Sequence, residues 1–317
     1  HWVEEAYVER DPTDYSENGI YHNISLPALY ADYLSHDGEL RIKKKEVLLH
    51  MYRQVAQYVR SAPEDQVGEL LLKYLLQFLQ TFIEYPDGIQ GKDFLLQLVV
   101  CRQPDAYVRF RLAAQVTELL SAQALEMRPS LLLGVLGCET TDQLLGRWKE
   151  VCRFAYEGGL LHDIGVLAFH HLLLHIGRSW LEEEREMYQY RVYAASSILA
   201  RNASTRPYAA IALGYSQNYD GSGEYIPEYS RAADFNRPIT DLVGIADSLV
   251  NLTDDTDPQN RQALSLNQAL EEVRAGAGSR YNPEAVELLA GLEPDIADCL
   301  QQGRVQAYEE AFSLLKS

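Results

Sequence analysis

Leu160-Leu161-His162-Asp163-Ile164-Gly165 is the stretch on which the reading of this chain turns. It sets an imidazole and a carboxylate side by side, directly after an apolar helical pattern that covers about Thr141 to Leu161. Imidazole nitrogen and carboxylate oxygen are good ligands for iron, manganese or zinc, and a carboxylate can bridge two ions that polarise a phosphoryl group and activate water. An isolated His-Asp pair also has a plainer reading, a hydrogen bond or cap at a helix end.

Outward from this stretch the apolar residues recur at helical spacing. Val47, Leu48, Met51, Val55 and Val59 mark one amphipathic helix, and Leu70, Leu71, Tyr74, Leu75, Phe78, Leu79 and Phe82 a second. Further helical patterns run from Pro104 through Leu120, Trp180 to Ala200, Pro238 to Leu252, Leu264 to Val273 and Pro283 to Leu315. Strand signals are confined to the first 40 residues, where an extended lead-in carries a short strand near Gly19 to Ser25. Asn218 to Asn236, rich in Gly, Ser, Asp, Tyr and Pro, is expected to be a long ordered loop that carries function or covers a cleft. Pro86-Asp87-Gly88 signals a turn. The expected fold class is all-α, with a smaller, mainly helical N-terminal region over 1–100 and a helical domain over 101–317.

The 46 acidic against 28 basic residues leave a formal charge of -18, which opposes non-specific binding to phosphate backbones and anionic membranes. No nucleic acid polymer and no membrane is expected as a partner. Cys101, Cys138, Cys152 and Cys299 lack the close spacing of zinc ribbons or redox motifs and read as free thiols. No basic-then-apolar leader is visible, and no apolar run reaches about 18 residues without charges, so a cytoplasmic protein is expected.

Downstream of the His-Asp pair come Tyr219-Asp220-Gly221-Ser222-Gly223 and then Ile245-Ala246-Asp247-Ser248-Leu249 in an apolar helical pattern. In type, order and spacing, Leu160 to Gly165, the Asp220-Gly221-Ser222-Gly223 loop and the Ala246-Asp247 helix resemble the HD-GYP subgroup of the HD phosphohydrolase superfamily over about residues 100 to 255. The resemblance implies an HD-domain-like helical bundle. Members of that family typically hydrolyse the bacterial messenger cyclic di-GMP with two or three iron or manganese ions.

The departures from the family pattern outweigh the matches. Its histidine ligand before the HD helix has no counterpart, since Asp105-Ala106-Tyr107 leads to Arg111. The lysine that follows the HD motif corresponds to Val166. The next His-Pro pair falls at Tyr190-Arg191, and the His-His-Glu run before the glycine loop falls at Tyr215-Ser216-Gln217. Gly223 is followed by Glu224-Tyr225-Ile226-Pro227. What remains of the implied ligand set is His162, Asp163 and Asp247, enough for one ion but not for a two-metal centre. No cofactor is therefore expected and no catalytic residue is assigned; iron or manganese is the metal if the reduced site holds one.

His170, His171 and His175 could replace lost ligands, although a histidine on an apolar helix is more often a packing residue. Asp220, Gly221, Ser222, Gly223, Arg111 and Tyr190 are candidate ligand-binding residues, and Arg109 and Arg191 could pair phosphates if they face inward. Tyr188, Tyr190, Tyr193, Tyr208, Tyr215, Tyr219, Tyr225 and Tyr229 either stack on guanine bases or fill the volume left by histidines and metals. Glu182 to Glu186 reads as a solvated helix start. The implied function is a catalytically impaired HD-GYP-like protein, a cyclic di-GMP-related sensor or a module for a signalling partner. The alternative is a metal-dependent cyclic di-GMP phosphodiesterase with a reduced metal site.

Overall fold

A computed structural model of the chain describes residues 2–27, 29–30, 41–63, 68–81, 91–168, 181–222, 226–254 and 262–316. The Pro86-Asp87-Gly88 turn, Gly223, Tyr225 and the three histidines His170, His171 and His175 lie outside them. The fold is all-α: among the described residues the only β pairing is an isolated bridge between Ala277 and Tyr281.

The helices are α1 (Trp2–Glu9), α2 (Glu17–Ile20), α3 (Arg41–Arg60), α4 (Gly68–Thr81), α5 (Gly91–Arg102), α6 (Pro104–Met127), α7 (Thr141–Gly146) and α8 (Trp148–Leu161). They continue with α9 (Glu182–Gln189), α10 (Arg191–Ala200), α11 (Ala209–Gly214), α12 (Arg237–Leu252), α13 (Leu266–Ala275), α14 (Pro283–Glu287), α15 (Glu293–Asp298) and α16 (Arg304–Lys316).

The expected strand at Gly19 to Ser25 is helical instead: α2 runs directly into a π turn at Tyr21–Ser25. Gly19 and Ile20 are buried, Tyr21 and His22 exposed, and Asn23 and Ile24 buried again, a helical and not an alternating spacing. Ser16 caps the turn by accepting from Gly19 N, and the buried Asn23 amide donates to Gly19 O at 2.9 Å and Asp11 O at 2.8 Å. The long patterns at Thr141 to Leu161, Trp180 to Ala200 and Pro283 to Leu315 are interrupted, the first at Arg147, whose φ of -114° leaves the helical region.

Helix α6 is the axis of the bundle. Proline opens it, where the missing N–H costs nothing, and buried residues from Ala106 to Leu125 lie on every side, so it packs against α5, α8, α12 and α16. Each fully buried Leu or Val there contributes about 2 kcal/mol. Helix α8 presents Val151, Phe154, Ala155, Gly158 and Leu161 as one buried stripe. Gly159 lets its backbone approach α6: a Cβ there would lie 2.7 Å from Ala114 Cα. One cluster of buried side chains continues from Ile20 to Ala311, and residue 100 falls inside α5, so the packing has no gap at that position. Cys138 and Cys152 are buried, Cys101 and Cys299 half-buried, and none is in a disulfide. Among the described residues no helix is long and apolar enough to cross a membrane.

Candidate functional site

Helix α8 ends at Leu161, and His162 and Asp163 form the turn that leads into the short 3-10 helix Ile164–Ala168. This turn is pinned from two sides. The Gln103 amide, at the start of α6, donates to Val166 O at 3.2 Å. Gly165 meets the first turn of α10 so closely that a Cβ would sit 1.8 Å from Arg191 O and 2.9 Å from Ala195 N. The glycine of the motif is thus a steric requirement, and it brings Arg191 onto the carboxylate that precedes it.

Arg191 Nε lies 2.9 Å from Asp163 Oδ1 and 3.2 Å from Oδ2. Only the contact with Oδ2 is aligned as a hydrogen bond; Oδ1, also buried, is close to the charge but off the N–H direction. The same guanidinium donates to Tyr215 Oη at 2.9 Å and to Tyr188 O at 3.4 Å, and it stacks over the Tyr188 ring at 4.3 Å. Burial lowers an arginine pKa, but the Asp163 carboxylate beside it outweighs that and holds Arg191 well above its ordinary value. Burial pushes Tyr215 well up and Tyr188 up to about 12, so both phenols stay protonated.

His162 is 1% exposed and wedged edge-on between Phe110 at 5.5 Å and Tyr215 at 4.6 Å. Nδ1 faces Gly159 O at 2.6 Å and Nε2 faces Asp247 Oδ1 at 3.1 Å across 85 residues of chain. Gly159 O can only accept, so Nδ1 donates to it, and Nε2 faces the Asp247 carboxylate. Burial depresses the His162 pKa, but the Asp247 hydrogen bond and charge, with the Asp163 charge, raise it above the ordinary 6.5. Asp247 responds in the opposite sense: burial raises it, and His162, Arg191 and Asn251 bring it below 3.8.

A raised histidine pKa stabilises fully below the unfolded value and ceases to do so as pH rises through the folded one; a depressed aspartate stabilises above its unfolded value and ceases to as pH falls. The pair contributes most between 3.8 and 6.5. The denaturation midpoint should fall as pH rises above 6.5, and His162→Gln should flatten that decline. A parent protein that gains stability over the same range would contradict the assignment.

A cavity of about 210 Å³ opens beside these residues. Asp163, Asp247, Arg109, Arg191, Tyr188 and Tyr215 contribute to its wall, together with Ser248, Arg280 and Tyr281. Arg109 reaches it from α6 while facing the buried Asp254 at 3.5 Å, and Arg304 holds Asp254 from α16 at 2.9 Å.

Several expected contributors are elsewhere. Arg111 pairs with Glu310 at 2.7 Å and lies over Tyr156. Tyr190 is 65% exposed, against Tyr193. Asp220, Gly221 and Ser222 are exposed and form a turn of their own, in which Ser222 N donates to Asp220 Oδ1 at 2.8 Å and Gly221 adopts φ 76°. Of the named tyrosines, Tyr188 and Tyr215 line the cavity, whereas Tyr208 bonds Glu157 and stacks on Phe154, Tyr219 lies under Arg231, and Tyr229 donates to Asp234 at 3.0 Å. The Glu182 to Glu186 run sits on α9, which buries no residue. Sequence reasoning missed Ser248, Arg280 and Tyr281; the Arg280-Tyr281 pair lies on a turn whose only sequence signal is Gly276 and Gly278.

The residues do not fit a metal. Among the described residues no group of three His, Cys, Asp or Glu side chains converges as a metal site. Both His162 ring nitrogens are already engaged, by Gly159 O and Asp247 Oδ1, and the charge an ion would bring to Asp163 is already supplied by Arg191. No family model matches the sequence, and no curated protein matches it.

Proposed function

We propose that this chain is a degenerate relative of the HD-GYP phosphohydrolases that binds a cyclic di-GMP-related ligand without hydrolysing it. The observation that carries this reading is the Arg191 guanidinium seated on Asp163. A two-metal hydrolase activates water and stabilises the developing phosphoryl charge through its ions. Here a fixed cation neutralises the carboxylate, carries no exchangeable water and cannot lower the pKa of one. It can still hold an anion, and the aromatic walls Tyr188, Tyr215 and Phe110 can still take a planar group.

The test is calorimetric titration with cyclic di-GMP in the presence of Mn(II) or Fe(II), with chromatography of the same samples. Saturable binding with no linear dinucleotide formed is the expected outcome. Turnover that is abolished by Asp163→Ala would sink the proposal. A second reading, docking of a protein partner, draws on the exposed Leu181, Met187 and Tyr190 around the helix that delivers Tyr188 to the cavity. It predicts no heat with the dinucleotide.

A further inference from the structure

Around the cavity Asp163 faces Arg191, Asp247 faces His162 Nε2 at 3.1 Å, Asp241 faces Arg231 at 2.8 Å, and Arg109 shares the buried Asp254 with Arg304. Arg280 also lines the cavity, yet among the described residues it forms no ion pair; its guanidinium reaches only a long 3.4 Å contact with Ser248 Oγ and lies over the neighbouring Tyr281 ring. A cation with no carboxylate at the edge of a cavity is a place for an anion from outside.

Tyr281 supplies an independent observation. The residue is 6% exposed and lines the same cavity, and its hydroxyl is buried with no hydrogen bond. Burial raises its pKa, and the Arg280 charge and then the adjacent Ser248 hydroxyl lower it, although among the described residues no hydrogen bond to it is formed. A buried phenolic O–H without an acceptor is unfavourable unless something supplies one. Arg280, Tyr281 and Ser248 thus bring a guanidinium and two hydroxyls to one end of the cavity, and Tyr281 has no acceptor there.

The turn that carries this end is held in place. Gly278, at φ 83°, lets its N–H reach Tyr281 O at 2.9 Å. Tyr219 N donates to Arg280 O at 3.1 Å and Asp220 N to Ser279 O at 3.0 Å, which ties the turn to the 218–222 loop. The glycine-loop motif of the sequence therefore acts on the cavity through its backbone, by positioning Arg280 and Tyr281.

We propose that Arg280, Tyr281 and Ser248 form an anion subsite that takes a phosphate group of the ligand. The subsite deepens, and rests on, the reading of the cavity as a binding site that leaves its ligand intact. About 210 Å³ corresponds to roughly seven waters of liquid volume, so the enclosed part of the ligand is on the order of ten non-hydrogen atoms. That part is either a compact phosphate monoester or one end of a larger phosphate-bearing molecule.

Titration calorimetry of the full chain with inorganic phosphate, phosphoserine and cyclic di-GMP tests this, on the parent protein and on Arg280→Met and Tyr281→Phe. Arg280→Met should weaken phosphate-group binding by about tenfold or more, the worth of one charge-assisted hydrogen bond. Tyr281→Phe should weaken it several-fold while leaving or raising the melting temperature of the free protein, because it deletes a hydroxyl that has no partner there. Loss confined to phosphoserine identifies a compact monoester as the source; loss shared by cyclic di-GMP identifies a larger ligand. Binding equal in parent and both variants, or no binding of any of the three probes, overturns the subsite. Hydrolysis of cyclic di-GMP would instead overturn the non-hydrolytic reading and leave the Arg280 dependence to be scored on its own.

Discussion

Replacing Arg191 by methionine is expected to destabilise the protein by about 3 to 5 kcal/mol, the range for removing one partner of a buried ion pair. Methionine keeps most of the apolar stem but deletes every donor to Asp163, Tyr215 and Tyr188. The side chains of Arg191 and Asp163 are 16% and 11% exposed, so solvent screens the orphaned carboxylate only weakly. In urea the midpoint should fall with the slope unchanged, because the surface exposed on unfolding does not change. The double variant Arg191→Met/Asp163→Asn should recover much of the loss, since a neutral amide carries no uncompensated charge. If Arg191→Met costs less than about 1 kcal/mol, as an exposed ion pair would, the pair does not hold the site together.

Gly165→Ala should cost about 3 kcal/mol, the upper end for forcing volume into a packed interior. The clash at 1.8 Å is with Arg191 O, and the next contacts, Arg191 C and Ala195 N, are backbone too. A flexible side-chain tip could swing aside, but the first turn of α10 can only translate, and Arg191 would leave Asp163 with it. The Arg191→Met cost should therefore shrink in the Gly165→Ala background, a coupling measurable by a double-mutant cycle. Gly146→Ala is the control: nothing lies within 4 Å of its Cβ position, and its φ is not in the left-handed region. It should be neutral, and an equal loss there would remove the steric explanation.

Much of the helical fold is legible in the sequence because amphipathic stripes repeat at the helical period, as in α4, α8 and α12. The segment around Gly19 to Ser25 resembles a strand in the sequence because it is short and turn-rich, with Gly19 and Asn23 beside Ile20 and Ile24 on the buried face and its capping in Ser16 and Asn23. The break at Tyr190 carries no Gly or Pro to announce it, whereas Gly146 and Gly291 mark the other two.

The site was legible along one line. His162, Asp163 and Asp247 converge, and Arg191 and Tyr215, which stand within the His-Pro and His-His-Glu stretches of the resemblance, bond each other beside Asp163. Arg111 and Tyr190 were misplaced because neighbours on a helix point in different directions: Arg109 faces the cavity and Arg111, two residues on, faces α16. Arg280 and Tyr281 were invisible, since they reach the cavity through a turn far along the chain that no motif marks.

Metal content decides the central claim, that a fixed arginine occupies the charge position of a catalytic ion. The purified chain would be equilibrated with Mn(II) or Fe(II), freed of unbound ion by gel filtration and assayed by mass spectrometry. The parent protein is expected to retain no stoichiometric metal. One ion per chain, lost on Asp163→Ala or Asp247→Ala, would contradict the account.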